Sequence, residues 1–118
     1  MRASYAEIKI EDILRENDLN FKMEYSIKGL NASSGRPLRF DFVVFDDDGK
    51  IDFIIEYQGR QHYEASPKFG GKQGLYRQQH NDSAKRSFCA LHNIKLVEIP
   101  YTEENLISYD YIMAKAGY

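Results

Sequence analysis

The stretch LRFDFVVFDDDGKIDFIIEYQ, residues 38–58, decides the fold. Two apolar, β-branched and aromatic runs flank DDDGK, and its Asp48-Gly49 pair is a hairpin turn signal. The spacing predicts two antiparallel strands. Side chains alternate along a strand, so Phe40, Phe42 and Val44 are expected on one face, with Arg39, Asp41 and Val43 on the other. On the partner strand Phe53, Ile55 and Tyr57 share a face, leaving Ile54, Glu56 and Gln58 opposite.

Asp41 and Glu56 then fall on adjacent strands, at one end of the sheet in a suitable register. Two carboxylates about 4 Å apart repel by roughly 4 kcal/mol at an effective dielectric near 20. A shared proton, a basic partner or a divalent cation must relieve that. Hard oxygen ligands suit Mg²⁺ or Mn²⁺, whereas a purely structural role would pair Asp41 with Arg39 or Arg60. The strand runs on into EYQGRQHY, residues 56–63, which sets Glu56, Gln58, Arg60, Gln61 and His62 almost side by side. Gly59 is expected to bend the chain and swing His62 back toward the carboxylates.

Outward from this hairpin, SYAEIKIEDILREND reads as a first helix, with Ser4 and Glu7 in a capping-box pattern. FKMEYSI, residues 21–27, alternates as a strand, and KGLNASSGRP is a turn-rich connection. After Tyr63, the glycine-punctuated EASPKFGGKQGLY reads as a loop. A second helix is expected from about Arg77 to His92. IKLVEIP is a buried strand, and Thr102 caps a last helix in EENLISYDYIMAKA. The order is α-β-β-β-α-β-α, an α/β fold with the hairpin inside a mixed sheet.

The 118 residues favour one domain, and 42% hydrophobic with 29% charged residues is a globular composition. No apolar run reaches the roughly 18 residues of a membrane span, and MRASYAEIKIEDIL lacks a signal-peptide core. One cysteine, Cys89, excludes an internal disulfide and fits a reducing, cytoplasmic setting. With His92 it has CxxH spacing, but without a second cysteine no zinc site is expected. The net charge of −2 is neutral toward nucleic acid, yet the charges are segregated. Asp41, Asp46, Asp47, Asp48, Asp52 and Glu56 precede a basic field of Arg60, Lys68, Lys72, Arg77, Lys85, Arg86 and Lys95. That pattern suits a metal site beside a phosphate-binding surface, and also a turn followed by a solvated helix.

RFDF followed by IIEYQG resembles the PD-(D/E)XK signature of the restriction-endonuclease-like fold, with Gln58 where lysine is usual. Together SYAE, RFDF, EYQGRQHY and NDSAKRSFC resemble the EDxHD nucleases, phage-type homing endonucleases related to very-short-patch mismatch-repair endonucleases. The resemblance spans about residues 4–100. It implies a metal-dependent endonuclease acting on double-stranded DNA, with Glu7, Asp41, His62 and Asp82 as its pattern residues. Asp41 and Glu56 would hold Mg²⁺ or Mn²⁺. His62 would act as general base or leaving-group partner, since imidazole titrates near neutral pH. Gln58 can orient a water but cannot accept its proton.

Glu7 has two readings, cap partner or site acid. Asp82 is a local ion-pair partner of Lys85 or the group that positions His62. Lys85 could reach a phosphate or replace the missing lysine. Arg60, Gln61, Tyr63, Lys68, Lys72, Arg77 and Gln78 are expected to form a DNA-facing surface. The resemblance further implies a bacterial or phage-infected cell, possible homodimerisation, and a recognition domain outside these residues. A repair or junction nicking enzyme and an inactive DNA-binding module are the competing readings.

Overall fold

The computed structural model describes residues 4–118. Helix α1 (Tyr5–Glu16) is followed by strands β1 (Asn20–Asn31), β2 (Pro37–Phe45) and β3 (Ile51–Gln58). After two short 3-10 turns come helix α2 (Gly71–Leu91), strand β4 (Lys95–Pro100) and helix α3 (Tyr109–Lys115). The strands lie in the order β1-β2-β3-β4. The first three are antiparallel, while β4 runs parallel to β3, so α2 is the crossover that a parallel pair requires. The expected mixed α/β sheet and C-terminal helix are present.

Each face of the sheet has its own core. On one, Ala6, Ile10 and Leu14 of α1 and Ile112 of α3 pack on Phe42, Val44, Phe53, Ile55, Val97 and Ile99. On the other, Cys89 of α2 packs on Leu30, Leu38, Phe40, Val43 and Ile54. Phe40 therefore does not share a face with Phe42 and Val44, contrary to strict alternation.

The cause lies at one residue pair. The β1–β2 register runs through Met23↔Phe42 and resumes at Tyr25↔Phe40. Between them Glu24 adopts a left-handed conformation (φ 48°), which costs a non-glycine residue of order 1–3 kcal/mol. Both strands change faces together there. Phe21 and Met23 pack with the α1 side, Tyr25 and Ile27 with the α2 side.

Three boundaries differ from the sequence reading. Strand β1 continues through Lys28–Asn31, because Leu30 is buried in the α2-side core. Helix α2 begins at Gly71, not Arg77, so the expected loop is partly helix. Its glycine at 74 is a packing requirement: a Cβ there would lie 1.7 Å from the Phe69 carbonyl oxygen. Tyr101–Leu106 forms a 3-10 turn, and it is Ser108, not Thr102, that caps α3 by accepting from the Tyr111 N–H.

Candidate active site

The hairpin strands part company just beyond Phe42↔Ile55, where the β2–β3 ladder ends. Side chains replace the missing backbone partners. The Asp41 N–H donates to Glu56 Oε2 (2.8 Å), and the Tyr57 N–H donates to Asp41 Oδ2 (2.8 Å). Each carboxylate thus caps the opposite strand, which fixes both acids at the opening. Neither Arg39 nor Arg60 pairs with Asp41; they lie 3.9 Å from Glu24 and Glu64 respectively.

Helix α2 brings the countercharge. Lys85 Nζ lies 2.5 Å from Glu56 Oε1 in a pair only 12% and 9% exposed, and 5.5 Å from the Phe40 ring centroid. One ammonium does not balance the acids gathered here. Burial, then the charge of Glu56, with Glu7 adding, pushes the Asp41 carboxyl up to about 8 against the Tyr57 N–H and Lys85.

His62 Nδ1 lies 2.8 Å from Asp82 Oδ2, both side chains largely buried. Although burial works against it, hydrogen bonds from His62 and Gln78 and the charge of Lys85 hold Asp82 below its ordinary range. An ionised Asp82 only accepts, so Nδ1 carries the hydrogen and Nε2 is left as the basic nitrogen. The bend that sets His62 here is the 3-10 turn Arg60–His62, closed by the His62 N–H on the Gly59 carbonyl (3.0 Å). Gly59 has an ordinary φ of −67°, so the expected glycine bend is not what turns the chain. A Cβ at 59 would instead meet Gln61 Oε1 at 2.6 Å.

These groups share one cleft of about 780 Å³, lined by Glu7, Asp41, Glu56, Gln61, His62, Lys68, Gln78 and Lys85. Glu7 combines both of its readings. Its Oε1 accepts from the Ser4 N–H (3.4 Å) to close the capping box, and its side chain still faces the cleft. Glu24, which the sequence reading passed over, lines it too.

Gln58 does not join this group. Its amide donates to Glu98 and accepts from the Tyr63 hydroxyl (2.5 Å), beside a second cavity lined also by Arg86 and the rear of the His62–Asp82 pair. Glu98 is held by Arg86 (2.8 Å). Tyr63 is therefore anchored by its hydroxyl, with its ring 5.7 Å from Tyr101, and Arg60 stacks over Tyr101 at 5.3 Å. Lys72 and Arg77 lie on the exposed surface of α2 and do not line the cleft. The spacing of Gln78, Asp82 and Lys85 at i, i+4 and i+7 is the sequence signal for their common helical stripe.

An α/β domain with an acidic, lysine-countered cleft at an opened strand pair is the class these features define. The chain belongs to the family DUF2726, described as a protein of unknown function, which matches residues 4–111. It is similar to uncharacterized protein 094L of Frog virus 3 (isolate Goorha), 41% identical over 85 residues, 70% of this chain and 52% of that protein. Uncharacterized protein 307L of Invertebrate iridescent virus 6 is 34% identical over 81 residues, 68% of this chain and 41% of the relative. The chain spans about half or less of the length of these relatives. No solved structure matches it. Among the described residues, no helix is long and apolar enough to cross a membrane.

Proposed function

We propose that this chain is the catalytic domain of a divalent-metal-dependent DNA endonuclease of the EDxHD type within the PD-(D/E)XK nucleases. The observation that carries the reading is the reciprocal capping of Asp41 and Glu56 at the opened strand pair, with Lys85 and His62 on the same cleft and Asp82 holding His62 from behind. The donor set fits Mg²⁺ or Mn²⁺: hard carboxylate oxygens in excess over one ammonium. Asp41 and Glu56 would hold the ion. When bound it lowers the pKa of a water and offsets charge on the scissile phosphate.

The chain's own residues supply the rest. Asp82 orients the imidazole and keeps hydrogen on Nδ1, so that Nε2 can take a proton from a water or, once protonated, give one to the leaving oxygen. Lys85 steadies Glu56 and keeps a positive charge beside the phosphate position. It stands in for the lysine absent at Gln58, which favours an active enzyme over an inert binding module. Gln58, turned toward Glu98 and Tyr63, stands outside the reacting groups. The resemblance carries the narrower reading, a homing-endonuclease catalytic domain working with a separate recognition domain on double-stranded DNA.

The test is nicking of supercoiled plasmid with and without Mg²⁺ or Mn²⁺, together with metal binding by calorimetry. His62→Ala is expected to abolish cleavage and keep metal binding, whereas Asp41→Asn loses both. Near-normal turnover in His62→Ala removes the imidazole from the mechanism, and metal-independent cleavage defeats the proposal.

A further inference from the structure

A notch of about 310 Å³ opens on the other flank of α2, against the turn that joins β1 to β2. Ser33 and Ser34 line it from the turn, and Tyr76, Arg77, His80 and Asn81 from the helix. Every one of these can donate a hydrogen bond, and no acid lines the notch among the described residues. That composition is the reverse of the catalytic cleft, where carboxylates predominate.

The notch is built from held parts. The turn is pinned by the Ala32 N–H on the Arg36 carbonyl (2.8 Å) and the Gly35 N–H on the Ala32 carbonyl (2.9 Å). Arg77 lies against bare backbone, since a Cβ at Gly70 would come within 3.0 Å of its Nη2. Among the described residues, no carboxylate lies within salt-bridge distance of Arg77. Tyr76 is 64% exposed, an aromatic hydroxyl carried at the rim.

We infer that this notch seats a phosphodiester of the DNA backbone, away from the scissile one. The inference rests on the endonuclease reading and names a contact which that reading does not require. Residues 77–85 span about 12 Å of helix, and one strand of a duplex presents a phosphate about every 3.4 Å of its axis. The seat therefore lies a few nucleotides from the bond at Lys85. Serine and asparagine groups with an arginine fork hold a phosphate without reading a base, so the seat sets register, not sequence.

The experiment is fluorescence anisotropy on a short mixed-sequence duplex across a salt series, with Ca²⁺ replacing Mg²⁺. Arg77→Ala is expected to weaken binding about tenfold and to lower the magnitude of the log–log salt slope by about one. The Ser33→Ala, Ser34→Ala double variant, at exposed turn positions where Ser34 Oγ otherwise accepts from the Arg36 N–H (3.4 Å), should weaken it severalfold with an unchanged denaturation midpoint. Duplexes of unrelated sequence should lose affinity equally, and competing inorganic phosphate should affect the wild type more than Arg77→Ala. If wild type binds duplex and both variants match it in affinity and slope, the seat is overturned and the nuclease reading stands. If wild type binds no duplex, both fall.

Discussion

The two faces of the sheet are made from the same strands but differ in kind. The face under α1 and α3 is apolar from end to end, with Ile10, Leu14, Phe42, Phe53, Ile55, Ile99 and Ile112 fully buried. The face under α2 starts the same way, with Phe40, Val43 and Ile54, and then turns polar at Glu56, Gln58 and Asp82, which are also buried. Burying those groups costs free energy that only complete pairing offsets. Lys85, Glu98 with Arg86, and His62 provide that pairing, and no buried side-chain polar atom lacks a partner among the described residues. One face holds the fold together; the other holds charges in place at some cost to stability.

The sharpest way to break that contrast is a pair of substitutions, one per face. Phe53→Ala on the apolar face should cost about 3–5 kcal/mol of stability, read as a lower urea midpoint. Glu56→Gln on the polar face should cut plasmid nicking by about a thousandfold or more, roughly 4 kcal/mol of barrier, while leaving the fold cooperative. Loss of folding in both, or loss of cleavage in neither, would show that the faces do not divide the labour.

Asp41 lets pH separate the faces. Its folded pKa of about 8 stands above the ordinary 3.8. Between those values the folded state keeps a proton that the unfolded chain has released. In metal-free protein its contribution is therefore fully present below the unfolded value and is lost as pH rises through about 8. Asp41→Asn should flatten that decline and make the metal-free protein the more stable of the two at high pH. Denaturant titrations at a series of pH values check this, and parallel curves for the two proteins would contradict it.

How much of this could be read along the chain follows the same division. The hairpin in 38–58, the capping box at Ser4 and the mixed α/β order along the chain follow local rules of alternation, turn chemistry and helix starts, so the sequence disclosed them. The change of face at Glu24 and Asp41 did not show, because alternation presumes a regular strand and nothing local marks a glutamate at φ 48°. Helix α2 was read short, since Gly70, Gly71 and Gly74 signal a loop unless the Phe69 carbonyl is known to press on residue 74. The closeness of Asp41 and Glu56 was legible from strand spacing, and that of His62 was expected from a bend at Gly59 that the 3-10 turn Arg60–His62 makes instead. The partner choices were less legible: Asp82 with His62 was one of two open readings, while Lys85 with Glu56 and Gln58 with Glu98 depend on where α2 or β4 lies across the sheet.

A smaller effect is expected where a residue acts through another. Asp82→Asn keeps the size of the side chain but can present an N–H to His62, favouring the wrong tautomer. Loss of such a supporting contact typically costs about 10–100-fold in activity. The reading predicts a fall in kcat with KM little changed and a displaced pH profile. A purely structural Asp82 would leave the profile of the surviving activity where it was.

The smallest expected effect is at Glu7, where the two roles can be pulled apart. Ser4→Ala removes the hydroxyl that caps α1 and should cost about 1 kcal/mol of stability. Glu7→Gln keeps the cap, because a glutamine at that position can still accept from the Ser4 N–H. It removes only the charge that helps raise Asp41. If Glu7 matters to the cleft as a charge, Glu7→Gln should leave the denaturation midpoint within about 0.5 kcal/mol of wild type. It should also lower the pH at which metal-free Asp41 ionises, as read from its side-chain carboxyl resonance by NMR. An unmoved Asp41 titration with an unmoved midpoint would reduce Glu7 to a helix cap, and the acidic centre to Asp41 and Glu56 alone.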